Sequence, residues 1–104
     1  MAWFLLILAG FFEIVWSYSM KLSQGFTKVV PSAITLVTMI ISFSLLSMAM
    51  KSLPLGTAYT IWTGIGAVGA FIVGLVFLNE PVSIMRVTAA VLIVSGLVMM
   101  KLSS

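Results

Sequence analysis

Four long apolar stretches separated by brief polar ones set the plan of this chain. They run from about Trp3 to Met20, Val30 to Met50, Leu55 to Leu78 and Ile84 to Leu102. Apolar residues do not alternate with polar ones inside them, so the period of a half-buried strand is missing. A helix needs about 20 apolar residues to cross a hydrocarbon core about 30 Å thick, and isolated strands cannot satisfy their backbone in lipid. The pattern predicts an all-α integral membrane protein: four transmembrane helices in one domain over residues 1–104. The connections "KLSQGFTK", "KSLP" and "NEPVS" are short, and Pro54 and Pro81 stand where the chain leaves or enters a helix. Short loops make successive helices antiparallel neighbours and leave no room for a second domain.

Composition agrees with the pattern. Hydrophobic residues make up 62% of the 104 residues and charged ones only 7%, with a mean hydropathy of +1.32. Soluble domains carry about 25% charged residues. Cysteine and histidine are absent, which removes the usual zinc and copper ligands and the commonest general base, and no cofactor is implied. The net charge of +3 comes from scattered Lys21, Lys28, Lys51, Arg86 and Lys101. Nucleic acid needs a basic patch or stripe, so these residues read as flanks of membrane spans. No basic residue precedes Lys21 and the first run carries Glu13, so that run reads as a retained span rather than a signal peptide.

The same five charges bear on orientation. Four spans place the N-terminus, the second loop and the C-terminus on one side, with Lys51, Lys101 and the terminal amine. The other side holds Lys21, Lys28 and Arg86. Orientation normally follows an excess of Lys and Arg on the cytoplasmic side. The near balance here permits insertion in either direction.

Glu13 is the residue the pattern does not explain. It lies about ten residues past Trp3, so about 15 Å into the bilayer. A charge there costs from ~3 to ~10 kcal/mol or more, and intramembrane ionisable residues mark function by default. Gly10, Glu13, Trp16, Ser17 and Met20 fall near one helix face. Thr35, Thr38, Ser42 and Ala49 form a mildly polar stripe on the second span, and Tyr59, Trp62, Thr63 and Gly66 share a face of the third. Trp and Tyr normally gather at membrane interfaces. Trp3 fits that habit, whereas Trp16 and Trp62 lie deep. A deep carboxylate with deep indoles describes a cation site, with cation–π attraction added to charge. In the third span Gly66, Ala70 and Gly74 have small-xxx-small spacing, and Gly64 and Gly66 suit either close packing or a hinge. On the fourth, Ala89, Leu92, Ile93 and Gly96 give a chargeless face suited to packing against another helix.

Taken together, Glu13, "MKLSQGFT", "PLGTAYTIWTGIG" and "NEP" make the chain resemble the small multidrug resistance family over its entire length. Trp16 and "WTGIGAVGA" resemble its guanidinium-exporting subtype most. The resemblance implies a proton-coupled antiporter of the bacterial inner membrane, built as an antiparallel, dual-topology homodimer. It implies that Glu13 of both copies binds proton or cation in alternation. It places Trp16, Ser42, Tyr59 and Trp62 at the site, and Ala89 to Gly96 at the dimer contact. "SYS" at Ser17 to Ser19 is more polar than the family pattern, which bears on substrate range.

A mechanism follows from this. Guanidinium pairs with a carboxylate through two parallel hydrogen bonds. Desolvation favours the uncharged form of a carboxyl group, and a second carboxylate nearby adds to this. Cation and proton then compete for one site, with Ser42 and Trp16 expected to orient Glu13 and Tyr59 to gate or hydrogen-bond. Four helices are too few to surround a midplane site, and two oppositely inserted copies supply the inverted repeat that transporters use. A polyspecific quaternary-ammonium exporter, one subunit of a heterodimer and a non-transporting assembly factor are the alternatives.

Overall fold

The structure, a computed structural model, describes residues 1–103. Four helices follow one another: α1 (Ala2–Leu22), α2 (Val29–Ala49), α3 (Leu55–Phe77) and α4 (Ile84–Leu102). All four are long and apolar enough to cross a membrane. No strand occurs among the described residues. The helices begin and end within two residues of the apolar stretches in the sequence. α1 continues past Met20 to Leu22, where Lys21 in the last turn complements the negative end of the helix dipole. α2 ends at Ala49, with Met50 as its cap.

The loops close by local hydrogen bonding. The Ser23 hydroxyl donates to the Met20 carbonyl at 2.6 Å and accepts from the Phe26 N–H at 3.0 Å. That turn needs three successive left-handed residues, Gln24, Gly25 and Phe26, at φ of 50°, 76° and 65°. Glycine alone adopts this region freely. α3 starts directly after Pro54, and α4 is capped by Ser83, whose hydroxyl accepts the Arg86 N–H at 3.1 Å.

α1 is the centre of the packing, with α2 on one side and α3 on the other, while the backbone of α4 lies against α3 alone. The result is a slab of 40 × 34 × 16 Å. Its core, Leu6, Ala9, Leu46, Ala49, Ala58, Ile61 and Trp62, fills the junction of the first three helices. On α2 the buried residues Thr35, Ser42 and Ala49 recur every seven positions, all small enough to admit α1 closely. α4 has no buried residue; in its last turn the Lys101 Nζ sits 4.3 Å from the centre of the Trp3 ring of α1.

Small residues of α3 accept side chains rather than a partner backbone. The carboxyl of Glu13 fills the space where a side chain at Gly66 would project, and Leu97 does the same at Gly64. Gly74, at the far end of the predicted small-xxx-small stripe, receives the Glu80 carboxyl from the loop that follows α3. α3 stays helical through Gly64 and Gly66.

Candidate functional site

Glu13 projects from the middle of α1 towards α3. Its Oε1 is buried and has no hydrogen-bond partner among the described residues. One turn later the indole Nε1 of Trp16 is in the same condition. Leaving a buried polar group unpaired costs about 1–3 kcal/mol, more when it is charged. One helix face therefore presents an unmet acceptor and an unmet donor three residues apart. Gly10, a turn earlier, is buried against Ile65; a Cβ at Gly10 would lie 2.7 Å from Ile65 Cγ2.

Ser42 is fully buried and bonded elsewhere. Its hydroxyl donates to the Ala9 carbonyl at 2.7 Å and accepts from the Trp62 Nε1–H at 3.0 Å. Ser42, expected to orient Glu13, makes no direct hydrogen bond to it; its hydroxyl proton goes to Ala9. Trp16, expected to orient Glu13 as well, makes no hydrogen bond through its indole. The link from Ser42 to Glu13 is indirect: in an α-helix the Ala9 carbonyl is the acceptor of the Glu13 N–H. Ser42 therefore pins to α2 the turn that carries the carboxylate.

The aromatic residues form a continuous row. The Trp16 ring lies 6.3 Å from Phe43, Phe43 lies 5.5 Å from Trp62, and Trp62 lies 5.7 Å from Tyr59. Trp62 is only 7% exposed, whereas Tyr59 is 54% exposed. Phe43 is the member that sequence reasoning missed. It follows Ser42 directly, about 100° around the helix, so a polar stripe drawn at three- and four-residue spacing passes it by. The sole available signal was an aromatic residue in the middle of a span.

Other expected positions lie further out. Thr63 and Gly64 line a groove of about 520 Å³ between α3 and α4, together with Tyr59, Ile93 and Gly96. Ala89 and Ile93 border a second groove of about 180 Å³. Leu92 is 66% exposed. The Ala89–Gly96 face is thus uncovered by the chain's own helices. In the Ser-Tyr-Ser segment, Ser17 bonds back to the Ile14 carbonyl at 3.0 Å, Tyr18 packs on Phe77 at 6.0 Å and Ser19 is buried. The segment ties the end of α1 to the end of α3. Among the described residues no three His, Cys, Asp or Glu side chains gather. The chemistry available is ionic: one carboxyl, one indole donor and a row of π faces.

Comparison with known proteins bears on this arrangement. The profile of the family described as Small Multidrug Resistance protein matches residues 1–93. A protein of Escherichia coli (strain K12) named "Guanidinium exporter" is 51% identical over 104 residues, covering 100% of this chain and 99% of its own. Its namesakes in Yersinia pseudotuberculosis serotype I and Salmonella typhimurium are also 51% identical over 104 residues, each covering 100% of this chain.

Proposed function

The chain belongs to the Small Multidrug Resistance protein family, and from that footing we propose that it exports guanidinium and related small guanidinyl cations in exchange for protons. It is a multi-pass transporter of the bacterial inner membrane. The observation that carries the reading is the buried, unpartnered carboxyl oxygen of Glu13 in the middle of a membrane-spanning helix. A carboxyl group so placed is stable in two conditions. It holds a proton and is neutral, or it holds a cation and is paired. It need never stand bare in lipid, where the cost would be largest.

Guanidinium suits the paired condition. Its planar fork of N–H groups matches the two carboxylate oxygens, and the row from Trp16 to Tyr59 supplies faces for cation–π attraction. Trp16 Nε1 is a donor and cannot bond to guanidinium, so its role is to donate to the Glu13 carboxylate once cation binding draws the two together. Proton and cation exclude each other from one carboxyl, which couples their movements.

Two oppositely inserted copies make the working unit in this reading. Tyr59 and Thr63 are exposed and the slab is 16 Å thick, so a single chain does not enclose the site. The uncovered Ala89–Gly96 face offers the contact, and the near-balanced loop charges permit both insertions.

The test is guanidinium uptake into liposomes carrying the purified protein, driven by a pH gradient and repeated with alkylguanidinium and quaternary ammonium. Uptake of guanidinyl cations by the wild type and none by Glu13→Gln is expected. Gradient-driven uptake by a folded Glu13→Gln protein would overturn the assignment.

A further inference from the structure

The first loop lies beside a further groove. The groove has a volume of about 530 Å³, with Met20, Lys21, Leu22, Gln24, Lys28 and Leu78 among its lining residues. Lys21 and Lys28 are both exposed, and no carboxylate lines the groove. Lys21 also borders a smaller cavity of about 190 Å³ that includes Glu80. Among the described residues neither lysine is held in an ion pair. α2 begins beside the groove with no acidic residue in its first turn. Two cations therefore face one concavity with no neutralising partner inside it.

We propose that this groove binds the phosphate of an anionic glycerophospholipid, with Lys21 and Lys28 on the phosphate oxygens and Gln24 on the glycerol or its headgroup. Three observations support a lipid as the occupant. The level is right: α1 has 21 residues and so spans about 31 Å, which brings Lys21 out of the hydrocarbon at the headgroups. The lining is amphipathic, since Met20, Leu22 and Leu78 share the groove with the lysines. The loop is also tied by its own hydrogen bonds. Ser23 is fully buried and its hydroxyl and carbonyl hold Phe26, Thr27 and Lys28 in place, while three left-handed residues turn the chain between the two lysines. A preformed loop loses little freedom on binding. The inference does not depend on which cation is transported. Its consequence for the transporter is mechanical: Lys21 is eight residues from Glu13 on the same helix, so a held headgroup fixes the depth of the carboxylate at about 12 Å below it.

The experiment is native mass spectrometry of the full chain released from mixed phosphatidylglycerol and phosphatidylcholine vesicles, with inorganic phosphate as a competitor. The wild type should retain phosphatidylglycerol over phosphatidylcholine, and millimolar phosphate should not displace it. Each Lys→Gln change should weaken retention about fivefold: K21Q or K28Q alone by that factor, and both together by about thirtyfold. K51Q/K101Q, which removes the same charge elsewhere, should retain the lipid, as should K21R/K28R. Equal retention by K21Q/K28Q and wild type would overturn the proposal. So would equal loss from K51Q/K101Q, failure of K21R/K28R to retain the lipid, or displacement by phosphate alone.

Discussion

The carboxyl group of Glu13 on α1 occupies the place that a side chain at Gly66 on α3 would take. The two residues are 53 positions apart in sequence, and the acid reaches its depth only because the facing helix has nothing there. Gly66→Ala should push the carboxyl aside. Overpacking of this kind costs about 1–3 kcal/mol, so guanidinium affinity by isothermal titration should fall roughly tenfold or more. Gly56→Ala is the comparison, because nothing lies within 4 Å of a Cβ there; it should bind as the wild type does.

Ser42 joins three helices through one hydroxyl, with Ala9 as its acceptor and Trp62 as its donor. Ser42→Ala leaves the buried indole N–H unpaired, at a cost of about 1–3 kcal/mol. Detergent-based unfolding should show that loss. In a double-mutant cycle with Trp62→Phe, the second change should cost less once the first is made. Additive losses would mean that the bond carries no coupling.

Phe43 bridges Trp16 and Trp62. Aromatic pairs contribute about 0.5–1.5 kcal/mol each, so Phe43→Ala should raise the Kd for guanidinium roughly threefold to tenfold through misplacement of the two indoles. Proton release on cation binding, which depends on the carboxyl, should persist.

In the proposed mechanism, competition between proton and cation for Glu13 has a definite sign. Protons occupy the carboxyl at low pH, so guanidinium affinity should fall as pH falls. The slope should approach tenfold per pH unit for each proton displaced. Binding in weak buffer should release protons. A pH-independent affinity in the wild type would contradict one shared site.

Lys101 over Trp3 ties the last turn of α4 to α1. A cation–π contact contributes about 0.5–1 kcal/mol at an exposed site. Lys101→Gln should therefore speed hydrogen exchange in the last turn of α4 severalfold and leave exchange in the middle of α1 unchanged.

Four apolar runs, the prolines at two loops and a carboxylate inside the first run determine much of this protein from the sequence alone. Span number, approximate helix ends and the costly position of Glu13 follow from the cost of putting polar groups in lipid, which is a local property of each stretch. The resemblance of "PLGTAYTIWTGIG" pointed to the family that the comparisons then established. The partners within the site were not legible. Periodicity gives the face of a helix but not the neighbour that meets it, so Ser42 was expected on Glu13 and instead holds Ala9 and Trp62. Phe43 escaped because its role depends on two rings from other helices. The glycines of α3 suggested close helix packing or a hinge, and only the packed bundle shows Gly66 receiving a carboxyl and Gly64 a leucine. Composition sets which groups are costly to bury; the crossing of the helices decides which of them answer each other.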